Sequence, residues 1–249
     1  MNVAGVVAAL TSEARALGPV KRGGAGRLVL NDGTLVAVSG MGAAAADAAR
    51  ALVEAGATAL VSWGMAGALD PGLEAGDVCL PSEVVAANGR SFTTARHWRE
   101  PLAASLAASM GAQRRVACGR LFTSSEAIGT ASAKEAAFRR TGAAAVDMES
   151  AAVAQVAALH GIPFIAVRVI VDTAADVVPS AVLAASHGGQ VHLWRLLWEL
   201  VLAPADLAPL MRLARRYRVA TRSLAAVAEA GSLAPPSLAA SNGILVGPS

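Results

Sequence analysis

Two carboxylates in this 249-residue chain are placed where acid–base chemistry could be done. Glu149 lies in Val146-Asp147-Met148-Glu149-Ser150-Ala151-Ala152, which reads as a strand turning into an Ala-rich helix, with Glu149 at the helix start. Asp172 closes Val167-Arg168-Val169-Ile170-Val171-Asp172, the end of an apolar strand over 163–171 that carries no other acid. Both therefore fall at the carboxyl edge of a sheet, where open α/β folds assemble their sites. A carboxylate there can accept hydrogen bonds from hydroxyls. Burial can also raise its pKa until it holds a proton for a leaving group near neutrality. Taken singly, each acid also has a plainer reading: Glu149 as a helix-start acid favoured by the macrodipole, and Asp172 as an N-cap. Metal and disulfide chemistry have less support. Cys79 and Cys118 sit in apolar runs without ligand spacing, and His97, His160, His187 and His192 are scattered, so no metal site is expected.

The elements that must position these acids follow from composition and pattern. Hydrophobic residues make up 55% and charged residues 16%, which excludes a disordered chain. Alanine fills 60 positions and aromatics only 4%, so the core must rely on close backbone packing. Val- and Ile-rich runs alternate with Ala-rich stretches of helical length, the pattern of an α/β domain. A buried strand is expected over 3–10, and a hairpin joins 27–30 to 34–39 through Asn31-Asp32-Gly33. A helix fits 43–56. Strands follow at 58–63, stopped by the loop Gly64-Met65-Ala66-Gly67, and at 77–87. Helices over 100–110 and 131–140 flank a strand at 115–122, and a helix over 149–160 ends at Gly161 before the 163–171 strand. Residues 1–185 read as one domain, 186–231 as a helical extension and 232–249 as a mobile tail.

Together the two carboxylate segments resemble something definite. VDMESAAVAQVAALHGIPFIAVRVIVDTAAD is similar to the signature of the nucleoside phosphorylase and nucleosidase superfamily, nearest its methylthioadenosine/S-adenosylhomocysteine nucleosidase branch. The likeness extends over about 1–185 and includes Glu13, Gly40-Met41-Gly42, and Gly64-Met65-Ala66-Gly67 followed by Gly76-Asp77-Val78. It implies a three-layer α/β/α fold with a central mixed sheet, and an enzyme that cleaves N-glycosidic bonds. By position, Met148 and Glu149 match the ribose-binding pair. Asp172 matches the acid that protonates or hydrogen-bonds purine N7, and Glu13 the residue that activates attacking water. Gly64, Met65 and Ala66 fall among the substrate contacts, and Ser124 and Ile128 in the base-binding loop, Thr123 to Ile128. The resemblance implies no cofactor and a homodimer or higher homo-oligomer.

Departures from the pattern bear on the nucleophile. Met65 stands where a small hydroxyl residue is common, and Ser62 where hexameric phosphorylases carry a phosphate-binding arginine. Asp147 replaces the more usual glutamate. If phosphate is a co-substrate, Arg15 is the nearest candidate to hold it, with Gly42 beside it; otherwise Arg15 is an exposed helix arginine. Arg168 reads as structural, paired with a carboxylate near the sheet edge. Gly40-Met41-Gly42-Ala43-Ala44-Ala45 also mimics a dinucleotide fingerprint, but no acid ends a strand some twenty residues later, which argues against a nicotinamide or flavin.

The last quarter changes character. In HLWRLLWELVL, residues 192–202, Leu193, Leu196, Leu197 and Leu200 share a helical face widened by Trp194 and Trp198, and Arg212, Arg215, Arg216, Arg218 and Arg222 follow. This pattern suits an amphipathic helix in a membrane surface, or alternatively a core or dimer-interface helix with a basic edge. With Val177-Val178-Pro179 it resembles the hopanoid-associated branch, which implies an adenosyl headgroup on a polycyclic lipid, adenosylhopane, as substrate. The net charge of +3 is too mild for nucleic-acid binding. No basic leader opens the chain and no uncharged run reaches about 18 residues. A cytoplasmic protein is expected, peripheral on the membrane if the tail docks.

Overall fold

Residues 2–22, 28–40, 42, 44–110, 114–178, 207–230, 233 and 235 are described by a computed structural model. The chain runs β1 (Ala4–Ala8), α1 (Thr11–Arg15), β2 (Val20–Arg22), β3 (Leu28–Leu30), β4 (Leu35–Val38), α2 (Ala44–Glu54) and β5 (Ala59–Ala68). It continues with β6 (Val78–Cys79), β7 (Glu83–Ala86), β8 (Ser91–Thr93), α3 (Arg96–Met110), β9 (Val116–Ala117), β10 (Arg120–Thr123) and α4 (Ala131–Thr141). The remaining elements are β11 (Ala143–Asp147), α5 (Ser150–Leu159), β12 (Phe164–Asp172) and α6 (Leu207–Ala230).

One mixed sheet joins the strands, and β5 is its hub. β1 and β12 both pair with β5 in parallel, while β11 meets its far end antiparallel at Gly67 and Ala68. Strands covered on both faces read as unbroken apolar runs, which is why β5 and β12 lack the alternation of a half-exposed strand. Their side chains divide between two layers with period two. Val7, Leu60, Ala166 and Ile170 join Ala45, Ala49 and Leu52 of α2 and Val153, Ala154 and Ala157 of α5. Val6, Val61, Trp63, Ile165, Val167 and Val169 join Trp98, Leu102 and Leu106 of α3 and Ala220, Leu224 and Val227 of α6. This is the three-layer α/β/α arrangement the sequence resemblance implies. Alanines dominate the α2–α5 side because small side chains let helices lie close to the sheet and to each other.

Several boundaries differ from the expected ones. The strand expected over 58–63 does not stop at Gly64, because β12 pairs with it from Leu60 to Gly67, and β5 continues to Ala68. The 77–87 run divides into β6 and β7 around Pro81, which has no N–H to offer a ladder. The 115–122 strand divides likewise into β9 and β10. α3 begins at Arg96 and carries Pro101 inside it. β2 and β8, three residues each, carry too little pattern to be foreseen. In the extension, residues 192–202 lie outside the described residues. Arg212, Arg215, Arg218 and Arg222 are exposed on α6, whose opposite side is buried in the core. No helix among the described residues is long and apolar enough to cross a membrane.

If α6 is part of this core, Leu224→Ala should lower the unfolding free energy by about 2–5 kcal/mol in urea denaturation. Met211→Ala, at an exposed position of the same helix, should change it by less than about 0.5 kcal/mol.

Candidate active site

Glu13 enters the site because α1 is a single tight turn immediately after β1. The indole N–H of Trp63 donates to the Glu13 carbonyl at 3.0 Å and anchors that turn to β5. The Glu13 carboxylate accepts from the Leu10 N–H at 2.9 Å through Oε2 and from the Met65 N–H at 2.8 Å through Oε1. Burial pushes its pKa up, against the opposing pull of Arg168 and the backbone amides.

Across Gly64 from Glu13 lies Arg168, opposite it in the β5–β12 register. A Cβ on residue 64 would stand 2.5 Å from Glu13 Oε1 and 2.6 Å from Arg168 Nη1, and its φ of +154° disfavours other residues. Glycine is therefore what lets the acid and the guanidinium close on the strand. Arg168 is fully buried. Its Nη2 lies 2.6 Å from Asp147 Oδ2 and 3.6 Å from Glu149 Oε2, and it donates to the hydroxyls of Ser62 at 2.7 Å and Ser150 at 3.1 Å. Thus Ser62, where phosphorylases are expected to carry a cation, supplies a hydroxyl that seats a different arginine.

Asp147 is held from several sides. The Thr123 hydroxyl donates to its Oδ1 at 2.7 Å and the Ser150 N–H to its Oδ2 at 3.1 Å. Glu149 follows at the cap of α5, and its Oε1 accepts from the Gly42 N–H at 3.1 Å. Burial raises the Glu149 pKa to about 7; Arg168 opposes the rise, and Asp147 and Glu13 add to it. Asp172 ends β12 beside Gly67, whose Cα hydrogen leaves room for the carboxylate at distances where a Cβ would crowd it. Burial raises its pKa too, opposed by Lys134 and Arg216. Lys134 donates to Asp172 Oδ2 from α4.

The structure brings Glu13, Gly64, Met65, Glu149 and Asp172 to the carboxyl ends of β1, β5, β11 and β12. Met65 contributes its backbone N–H, Ala66 is buried in the strand, and Met148 is half-buried next to Glu149. Ser124 hydrogen-bonds the Asp147 carbonyl through its N–H at 2.8 Å, and Ile128 packs on the cluster of Leu69 and Phe122. Gly42 spends its N–H on Glu149, and Arg15 is exposed. Sequence reasoning missed Lys134. The available signal was composition, since the chain has only two lysines against nineteen arginines. Among the described residues no group of three or more His, Cys, Asp or Glu side chains could hold a metal ion.

A family profile described as the phosphorylase superfamily matches residues 12–194. The chain belongs to the phosphorylase superfamily. Solved structures agree in fold. A 5′-methylthioadenosine/S-adenosylhomocysteine nucleosidase from Neisseria meningitidis, in complex with methylthio-immucillin-A, superposes with a TM-score of 0.66 at 20% identity, covering 92% of this chain and 98% of that one. The corresponding Colwellia psychrerythraea nucleosidase, with adenine bound, gives 0.60 at 23% identity over 70% and 84%. Futalosine hydrolase of Helicobacter pylori gives 0.61 at 19% over 80% and 98%. No curated protein sequence matches the chain.

In this superfamily member, Gly64→Ala should push Glu13 and Arg168 apart. kcat/KM should fall about a hundredfold or more if these side chains line the site, the effect of a misplacement of about 1 Å. Circular dichroism should still report the α/β fold.

Proposed function

We propose that the protein hydrolyses the N-glycosidic bond of an adenosyl ribonucleoside and releases adenine. The observation that carries this reading is the convergence of three buried carboxylates, Glu13, Glu149 and Asp172, on one sheet edge. Burial raises the pKa of all three. The likeness to nucleosidases that act on 5′-methylthioadenosine and S-adenosylhomocysteine supports the substrate class.

Each acid has a distinct task. Ionised Glu149 accepts hydrogen bonds from the vicinal ribose hydroxyls, with Met148 against the sugar face. As the C1′–N9 bond breaks, its electron pair passes to the purine, and the Asp172 carboxyl gives its proton to N7. An adenine anion would otherwise have to depart. Water adds to C1′ of the oxocarbenium-like sugar and yields its proton to Glu13, whose burial makes it a stronger base than an exposed glutamate. Solvent then restores both protonation states.

Water is favoured over phosphate by the fate of the nearby cations. Arg168 is engaged by Asp147, Glu149, Ser62 and Ser150, while Arg15 is exposed and the Gly42 amide serves Glu149. Among the described residues, a phosphate dianion would then meet these carboxylates without an unengaged cation beside them. The lipid-linked substrate adenosylhopane is a second reading, favoured by the Trp-rich segment 192–202 and its exposed arginine neighbours. Parallel assays on 5′-methylthioadenosine, S-adenosylhomocysteine and adenosylhopane in liposomes separate the two substrates.

Adenine should appear at the same rate with and without phosphate, and formation of a sugar 1-phosphate would overturn the hydrolytic reading. Asp172→Asn and Glu13→Gln should each lower kcat by about 10²–10⁴-fold, the usual contribution of a positioned acid or base. A loss under tenfold would remove that residue from the chemistry. Because Glu149 must be ionised to accept the hydroxyls and its pKa is pushed up to about 7, kcat/KM should fall as pH drops through that value. The Glu149→Gln variant should be weaker throughout and should lack this limb.

A further inference from the structure

Lys134 is a buried charged group that the hydrolytic scheme leaves without a task. It lies on α4, whose ends are both fixed: Thr130 accepts the Ala133 N–H at the start, and Gly142 closes the helix in the left-handed conformation. Its side chain is completely buried. The ammonium has three N–H donors and meets three acceptors: Asp172 Oδ2, the Thr173 carbonyl at 2.7 Å and the Asp176 carbonyl at 3.3 Å. Those carbonyls are held in turn. Asp176 Oδ2 accepts from the Thr173 N–H and hydroxyl, each at 2.7 Å, and pairs with Arg216 of α6. The loop after β12 is thus folded into a socket for one ammonium.

We infer that Lys134 is a positioning residue for Asp172, occupying Oδ2 so that the transferable proton can reside only on Oδ1. The inference rests on the reading of Asp172 as the acid. A neutral carboxyl carries one proton, and an oxygen facing a saturated ammonium cannot hold it without opposing two donors. Lys134 therefore fixes which oxygen is the acid, and its charge makes that proton easier to release. Among the described residues, the cations acting on Asp172 are Lys134 from α4 and, more weakly, Arg216 from α6, while β5 presents Gly67 to it. A purely structural role would not need a charge, since buried ion pairs are often replaced by apolar groups without loss of stability. The chemistry also selects lysine over arginine: three divergent acceptors suit a tetrahedral ammonium, not a planar fork.

The test measures the pH dependence of kcat for adenine release from 5′-methylthioadenosine by Lys134→Met and Lys134→Arg, with Lys134→Met repeated in the Asp172→Asn background. Loss of the cation should move the alkaline limb of kcat up by at least about one pH unit, a tenfold change in proton affinity. It should also lower kcat at neutral pH about tenfold and leave KM within about threefold, since the residue acts on the transition state. Lys134→Arg, which keeps the charge but not the tetrahedral fit, should move the limb less than Lys134→Met does. In the Asp172→Asn background, Lys134→Met should cost nothing further in kcat. An unmoved limb, or an undiminished loss in the double variant, would overturn the inference. Should Lys134→Met fail to fold, Lys134→Gln carries the same comparison. Titration of ¹³C-carboxyl-labelled Asp172 by NMR needs no substrate, and the Asp172 resonance must titrate at higher pH in the neutral variant. If Asp172→Asn alone retains wild-type kcat, the proposed function fails; if it is inactive while the Lys134 variants behave as wild type, only the role of Lys134 fails.

Discussion

One buried guanidinium sets the terms for this site. Arg168 faces Asp147 directly and Glu149 and Glu13 at longer range, so a single positive charge serves three carboxylates in a solvent-poor interior. The shortage of positive charge has a chemical consequence. Asp147 takes the closest contact with the guanidinium and has two further protein donors. Burial raises the proton affinities of Glu149 and Glu13, and the shared guanidinium opposes that rise without cancelling it. Removing Arg168 would strand buried charge, a change that typically costs about 3–5 kcal/mol. The guanidinium is thus structural in its bonds and functional in what it withholds from the other two acids.

Asp172 stands in a separate electrostatic compartment, with Lys134 where Asp147 has Arg168. The separation follows from β12, on which three residues lie between the arginine and the aspartate. Parallel pairing with β5 sets Arg168 against Gly64 and Asp172 against Gly67, so each charged side chain rises beside a residue without a side chain. A bulkier strand would have the same hydrogen-bond ladder and no room for the acids. The two glycines therefore act by close approach, and the backbone between them supplies the Met65 N–H that holds Glu13.

α6 ties the two ends of the site together. Tyr217 exchanges a 2.6 Å hydrogen bond with Ser12, the neighbour of Glu13, and Arg216 pairs with Asp176 in the loop that follows Asp172. The helix is held in place by Ala220, Leu224 and Val227 against the sheet. Consecutive residues of one helix thus reach the supports of both the proposed base and the proposed acid. The arginine-rich stretch that reads in sequence as a surface stripe has one member, Arg216, turned inward to this task, with four others exposed.

By itself the sequence determined the α/β class, the strand-to-helix turn at Glu149 and the strand-end position of Asp172. These depend on local periodicity and on motifs contiguous in the chain. It also carried Glu13 and the Gly64–Gly67 run, through a family pattern whose members are far apart. Tertiary structure alone decided that β5 runs through its glycines, because a partner strand rather than local propensity sustains it there. Tertiary structure also decided what Asp147 does, that Gly42 serves Glu149, that Arg15 faces solvent, and that Lys134 meets Asp172 from 38 residues away. Charge pairing between distant segments leaves no periodicity to read, since Coulomb attraction depends on distance in space and a side chain's sequence neighbours do not record it.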